Sequence, residues 1–326
     1  MYQASARLMV VIATASGIRG YPERILAANL VLSSSYRVSA PWYHHMRKPY
    51  KTDLTDVEWA FISPLLPPAR PKNGAEPTDL REVVNTIRYQ TVTGVQWDLL
   101  PHDLIPKSTA FDYYTRWSQD GTWVRVLDAT RRAVRRAAGR DEAPSAGAID
   151  SQSVKTAAGG GEHIGTDGGK LVKGRKRHIL TDTMGLLLAV VVTAANVSDG
   201  RAAPAVLGQL TLPDRSRLQV VFADGRYHDT VCEAWFGDHP GCRLEVVSKP
   251  PGVRGFRPIR KRWVVERTFA WLIGNRRLVR DYERRVWSSE SRVRVASISM
   301  MLRRLSSTDR YIISCSANVT LQQKVA

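Results

Sequence analysis

Hydrophobic spacing divides this chain into a helical first part and a β-rich second part. Leu80, Val83, Val84, Ile87 and Thr91 fall on one face of a helix that Gly94 ends. Before it, Thr55-Asp56-Val57-Glu58 has the form of a capping box ahead of WAFISPLL, so a short helix starts there and Pro67-Pro68 stop it. After it, Ser108 can cap STAFDYYTRWSQDG, where Phe111, Tyr114 and Trp117 are spaced for a buried stripe. A last helix, TWVRVLDATRRAVRRAAGR, completes the set. Trp59, Trp97, Trp117 and Trp123 read as core anchors rather than base-stacking platforms. Residues 46–142 are thus expected to form a small all-helical unit of the helix-turn-helix type.

Past Ala143-Pro144 the pattern becomes that of strands. SAGAIDSQSVKT is short and partly alternating. The glycine-rich GGGEHIGTDGGK does not match the GxxxxGK[ST] phosphate loop, because Ile164 holds the first glycine position and Leu171 follows the lysine; a flexible loop is expected. KRHILTDTMGLLLAVVVTAAN predicts a hairpin turning at Asp182-Thr183-Met184-Gly185. A helical stretch starts at Ser198, LQVVFADGRY reads as a strand buried on both faces, and CRLEVVSK as another strand. Then RWVVERTFAWLIGNRRL predicts a helix with Val265, Phe269, Leu272 and Ile273 toward the core. A closing helix repeats Val293, Ala296 and Met300. Residues 143–305 make a second domain, and 306–326 a tail.

Charge narrows the class of partner. Forty-eight Lys+Arg against thirty Asp+Glu give a formal +18 and a pI of about 10.2, an excess that favours nucleic acid first and an anionic membrane surface second. The basic helices turn their apolar faces to the core, which disfavours a membrane partner, and the run LMVVIATA is far too short to span a bilayer. Three cysteines form an odd, sparse set that argues for a reducing, cytoplasmic compartment. His228, Cys232, His239 and Cys242 lie close in sequence without a CxxC or HxxxH pair, so buried thiols beside surface histidines are expected rather than zinc. Residues 1–45 are expected to be a poorly ordered or non-native extension, with Met46 the natural start.

The candidate chemistry lies in three acids. Between Arg254 and Arg280 nine basic residues accompany one acid, Glu266, at the edge of the apolar face of its helix. Asp224 ends the apolar strand VVFAD, where side chains emerge at the lip of a sheet, and Asp150 lies in the first strand of the second domain. Mg²⁺ prefers a few carboxylates with water and substrate phosphate, and two such ions can activate the attacking oxygen and stabilise the leaving one at phosphorus. Spacing alone leaves other roles open: a turn cap for Asp150, the start of the AspGly turn for Asp224, a pair with Arg262 for Glu266. Arg132, Arg136 and Arg140 follow at four-residue steps on one helical face, where mutual repulsion calls for a counter-anion such as phosphate.

The segments AIDSQSVKT, VKGRKRHILTDTMGLLLAVVVT, FADGRYHD and RWVVERTFAWLIGNRRLVRDYE resemble bacterial insertion-sequence DDE transposases, in the branch named after insertion sequence five. The stretch DLTDVEWAFISPLLPP through STAFDYYTRW resembles that branch's N-terminal helical domain. The likeness covers roughly residues 50–305. It implies an α/β architecture: a ribonuclease-H-like mixed sheet flanked by helices, preceded by a small all-helical DNA-binding domain. It also implies that Asp150, Asp224 and Glu266 bind Mg²⁺, for which Mn²⁺ can substitute, and that the protein acts on double-stranded DNA as a homo-oligomer in the bacterial cytoplasm, at the nucleoid. In the glutamate motif Arg262 matches the family's arginine, whereas Ile259 and Ile273 replace its tyrosine and lysine. Arg276 or Arg277 is expected to supply the missing cation, and Lys173, Arg175 and Lys176 to touch flanking DNA backbone. Because of those two replacements, a catalytically inactive, DNA-binding derivative of the same scaffold is the alternative reading.

Overall fold

The computed structural model describes residues 47–69, 77–247 and 261–322, with side chains described up to residue 306. The expectations for residues 1–45 and for Ile259 lie outside the described residues.

Four helices come first: α1 (Asp56–Ile62), α2 (Leu80–Thr93), α3 (Lys107–Gln119) and α4 (Thr122–Ala137). The capping box forms: the Glu58 N–H donates to Thr55 Oγ1 at 3.2 Å, and the Thr55 N–H donates to Glu58 Oε2 at 3.1 Å. α1 stops at Ile62 and continues as a 3₁₀ turn, Ser63–Leu65. Pro64, not Pro67-Pro68, ends it, because Pro64 has no N–H to continue the ladder. α3 begins at Lys107 behind Pro106, so Ser108 sits inside the first turn and caps nothing. Its buried stripe is Ala110, Tyr113, Tyr114 and Trp117, while Phe111 is exposed and meets Trp97 edge-on.

Gly94 closes α2 at φ +73°, and a Cβ there would meet Arg276 Cβ at 3.1 Å. Gly94→Ala therefore combines left-handed strain with crowding. It is expected to lower unfolding stability by about 1–2 kcal/mol, read as an earlier urea midpoint; an unchanged midpoint would show that the turn relaxes.

The strands are β1 (Ala146–Lys155), β2 (Gly165–Asp167), β3 (Val172–Asp182), β4 (Leu187–Ala194), β5 (Val220–Ala223) and β6 (Arg243–Val246). They pair in the order β2-β3-β1-β5-β6, with β4 also on β3. β3 runs antiparallel to both β1 and β4, while β1–β5 and β5–β6 are parallel. The hairpin turns at Asp182–Gly185, where the Asp182 carboxylate accepts from the N–H groups of Met184 and Leu186. β2, inside the glycine-rich stretch, was not expected; Thr166 pairs with Lys173. α5 (Asp199–Gly208) and α6 (Leu212–Arg217) connect β4 to β5, and α7 (Thr230–Gly237) connects β5 to β6. α8 (Trp263–Ile273) and α9 (Val286–Gln322) follow. This mixed sheet between helices is the ribonuclease-H-like α/β fold.

The strand period sorts the core into two clusters. Ala148 and Phe222 face a cluster shared with α1–α4, α8 and α9, whereas Ile149 and Ala223 face one under α5 and α7. Val265, Phe269 and Leu272 of α8 are buried, but Ile273 is exposed, since a helix face that narrow admits only the i, i+4, i+7 positions. In α9, Val293 and Ala296 are buried and Met300 half-buried. The stretch expected as a tail from 306 stays helical to Gln322. Among the described residues no helix is long and apolar enough to cross a membrane.

Candidate active site

Asp150 and Asp224 sit on adjacent parallel strands. Ala148 is opposite Phe222, so two residues further on Asp150 comes level with Asp224, just past the end of β5. Neighbouring strands lie about 4.8 Å apart, and the period of two puts both acids on the face of Ala148 and Phe222, which α8 covers. Each carboxylate is held by a nearby backbone N–H. Ser151 N–H donates to Asp150 Oδ1 at 2.7 Å, and Arg226 N–H donates to Asp224 Oδ1 at 2.9 Å.

Burial pushes the Asp150 carboxyl up to about 6, against the pull of the Ser151 N–H and of Arg262; the negative fields of Asp224 and Asp199 add to the rise. A carboxylate that is hard to ionise beside another acid is the electrostatic signature of a site that takes a cation.

Glu266 lies in the first turn of α8, which packs against β1 and β3. Its Oε1 accepts from Arg262 Nη2 at 2.8 Å, so the pair one turn apart does form. The positive field of the same guanidinium also favours the ionised form of Asp150. Among the described residues no three His, Cys, Asp or Glu side chains stand close enough to hold an ion as they are. The two aspartates fit a divalent cation by charge and donor type, and the bond to Arg262 engages only Oε1 of Glu266.

The cations divide by burial. Arg175 is fully buried and donates to the carbonyls of Glu162, Glu283 and Arg284. Lys176 is buried too, donating to Val197 O at 2.8 Å and pairing with Asp199 at 3.1 Å. Both hold the fold together and cannot touch flanking DNA, because their side chains are buried. Arg277 is buried against Glu283, its Nε 2.8 Å from Oε1, so it does not replace the missing lysine. Arg276 and Lys173 are exposed.

α4 ends before Arg140, and the arginines on it do have counter-anions, but these are carboxylates of the protein. Arg131 pairs with Asp214 at 2.6 Å and Arg135 with Asp182. Arg132 binds Asp128 at 2.8 Å and Asp214 at 3.4 Å, which corrects its assignment to phosphate. Arg136 is exposed and bonded to Glu142 at 2.5 Å.

Cys232 and Cys242 are buried free thiols that burial pushes up to about 11. His239 stacks on Trp235 and its Nδ1 lies 2.7 Å from the Trp235 carbonyl. Sequence reasoning missed Asp199, Ser151 and Tyr227 beneath the aspartates. Asp199 looked like an ordinary first-turn acid of α5, and only its burial (3% exposed) marks it out.

Two carboxylates at the parallel centre of a ribonuclease-H-like sheet, with a third on the covering helix, define the class of DDE polynucleotidyl-transferase domains. Family models agree. That described as "Putative transposase of IS4/5 family" matches residues 54–127, and that described as "Transposase DDE domain" matches residues 141–301. The chain belongs to the insertion-sequence DDE transposases. A relative from Burkholderia cepacia, "Putative transposase for insertion sequence element IS402", is 38% identical over 120 residues, 34% of this chain and 55% of the relative. A second from the same organism, "Insertion element IS402 uncharacterized 16.2 kDa protein", is 31% identical over 121 residues, 35% of this chain and 80% of the relative. The match therefore spans about half (55%) of the first relative's length.

Proposed function

We propose that this protein is the transposase of an insertion sequence: it binds the element's ends, hydrolyses a phosphodiester to leave a 3′-OH, and directs that 3′-OH onto target DNA. The observation that carries the reading is the in-register placement of Asp150 beside Asp224 under the helix bearing Glu266. These three acids would hold Mg²⁺, or Mn²⁺ in its place. Bound divalent ions activate an attacking oxygen and neutralise charge on the leaving one. The Ser151 and Arg226 N–H groups fix the two aspartate carboxylates. Arg262 would donate to a phosphate of the DNA, and exposed Arg276 and Lys173 would extend that contact along the backbone. The partner is double-stranded DNA, engaged by a homo-oligomer that pairs two ends. The helical region of residues 46–142 serves as the end-binding domain ahead of the catalytic domain of residues 143–305.

The test is a nicking assay on duplex carrying the element's ends. Purified protein with Mg²⁺ is expected to nick at the terminus, and chelation with EDTA to stop it completely. Nicking that persists in EDTA would reject the metal-dependent mechanism. Tight DNA binding without any nicking in Mg²⁺ or Mn²⁺ would instead favour an inactive, DNA-binding derivative.

A further inference from the structure

The two residues whose N–H groups hold the aspartates have something else in common. Ser151, which holds Asp150, donates its hydroxyl to Asp199 Oδ1 at 2.7 Å. Arg226, which holds Asp224, places its Nη1 3.7 Å from Asp199 Oδ2. Asp199 is buried, and Lys176, itself buried, neutralises it at 3.1 Å. Burial works to raise the Asp199 carboxyl, but the bonds from Ser151 and Lys176 hold it below the usual carboxylate range. Gly200 lets α5 approach this closely, for a Cβ there would lie 2.3 Å from Asp229 Cβ and 3.1 Å from the Arg226 carbonyl.

We propose that Asp199 is a positioning residue: from the opposite face of the sheet its hydrogen bond fixes Ser151, and through the Ser151 N–H the Asp150 carboxylate. A looser ion pair with half-exposed Arg226 draws in the segment that holds Asp224. The physical need is plain. Two like charges on neighbouring strands push their segments apart until a cation arrives, and a site must hold its ligands to within about 0.5 Å of the binding geometry. An anchor that is neither a ligand nor exposed meets that need. The inference rests on the reading of Asp150 and Asp224 as metal ligands.

Mn²⁺ binding to the full chain, followed by electron paramagnetic resonance without DNA, tests it. Ser151→Ala removes the link to Asp199 and leaves the Asp199–Lys176 pair in place. It is expected to weaken Mn²⁺ binding about tenfold, within the range typical for loss of an outer-shell partner, with little change in the metal-free melting temperature. Ser151→Thr, which keeps the hydroxyl, is expected to retain wild-type affinity. The double variant Asp199→Ala/Lys176→Met removes the acceptor together with both buried charges and is expected to lose at least as much affinity as Ser151→Ala. Wild-type affinity in Ser151→Ala, or equal weakness in the Ala and Thr variants, overturns the clamp. Asp150→Asn separates the two readings: if it binds Mn²⁺ as the wild type does, the metal site itself is misplaced and the clamp falls with it.

Discussion

Asp150→Asn is expected to reduce Mg²⁺-dependent nicking by about a thousandfold or more while leaving the protein folded. Metal-assisted phosphoryl chemistry draws several kcal/mol of transition-state stabilisation from its ions, and each 1.36 kcal/mol is about tenfold in rate. Amide oxygen lacks the charge that retains Mg²⁺, so most of that stabilisation goes with the carboxylate. Stability should move the other way. Burial, aided by Asp224 and Asp199, raises this carboxyl to about 6, so its ionisation opposes folding above that pH when no metal is bound. The neutral amide removes the opposition. At pH 7.5 without metal, the variant's melting temperature is expected to equal or exceed the wild type's. Nicking within tenfold of wild type would reject the assignment, and a large drop in melting temperature would mean that Asp150 serves the fold instead.

The second large effect concerns stability. Glu283 is buried where α9 meets the helical layer. It accepts from Arg277 Nε at 2.8 Å, Arg292 Nε at 3.3 Å and Ser288 Oγ at 2.6 Å. Arg292 in turn donates to Thr91 Oγ1 and lies over the Tyr114 ring at 4.0 Å. Glu283→Ala leaves two largely buried guanidiniums without their counter-charge, and losing one partner of such a pair costs about 3–5 kcal/mol. A denaturant titration should show the midpoint fall accordingly; a shift under about 1 kcal/mol would mean that water replaces the carboxylate.

The same residue sets a pH dependence. Burial raises its carboxyl, but Arg292 and Arg277, with the bonds from Ser288 and Arg277, outweigh it and bring it from 4.5 down to about 2. A lowered folded-state value means that this stability is present above about 4.5 and is lost as pH falls through about 2. Between those values wild-type stability should decline, and Glu283→Gln should decline less.

How much of this was legible beforehand differs by element. The capping box at Thr55, the Gly94 terminus, the hairpin at Asp182 and the buried strand at Val220 depend on neighbours a few residues away, so local pattern suffices. In α3, Tyr114 and Trp117 are buried as expected, and only Phe111 was misplaced, because Phe111 and Tyr114 satisfy a helical period as well as Ala110 and Tyr114 do. The arginines failed for a different reason. Charge is visible in a sequence, but its counter-charge is not: Arg131 meets Asp214 and Arg175 meets Asp281 only across long chain separations.

The chain by itself therefore determined the class of the fold and the order of its elements and nominated Asp150, Asp224 and Glu266 as candidate acids, since these follow from short-range periodicity and from motifs of fixed composition. Only the tertiary structure decided which cations remain for a polyanion. It buries Arg175, Lys176 and Arg277 and leaves Arg276 and Lys173 outside. It also decided that Asp199, forty-nine positions after Asp150, underlies both aspartates. Sheet pairing brings remote strands within about 5 Å of each other, and electrostatics at that range depends on position in space rather than on position along the chain.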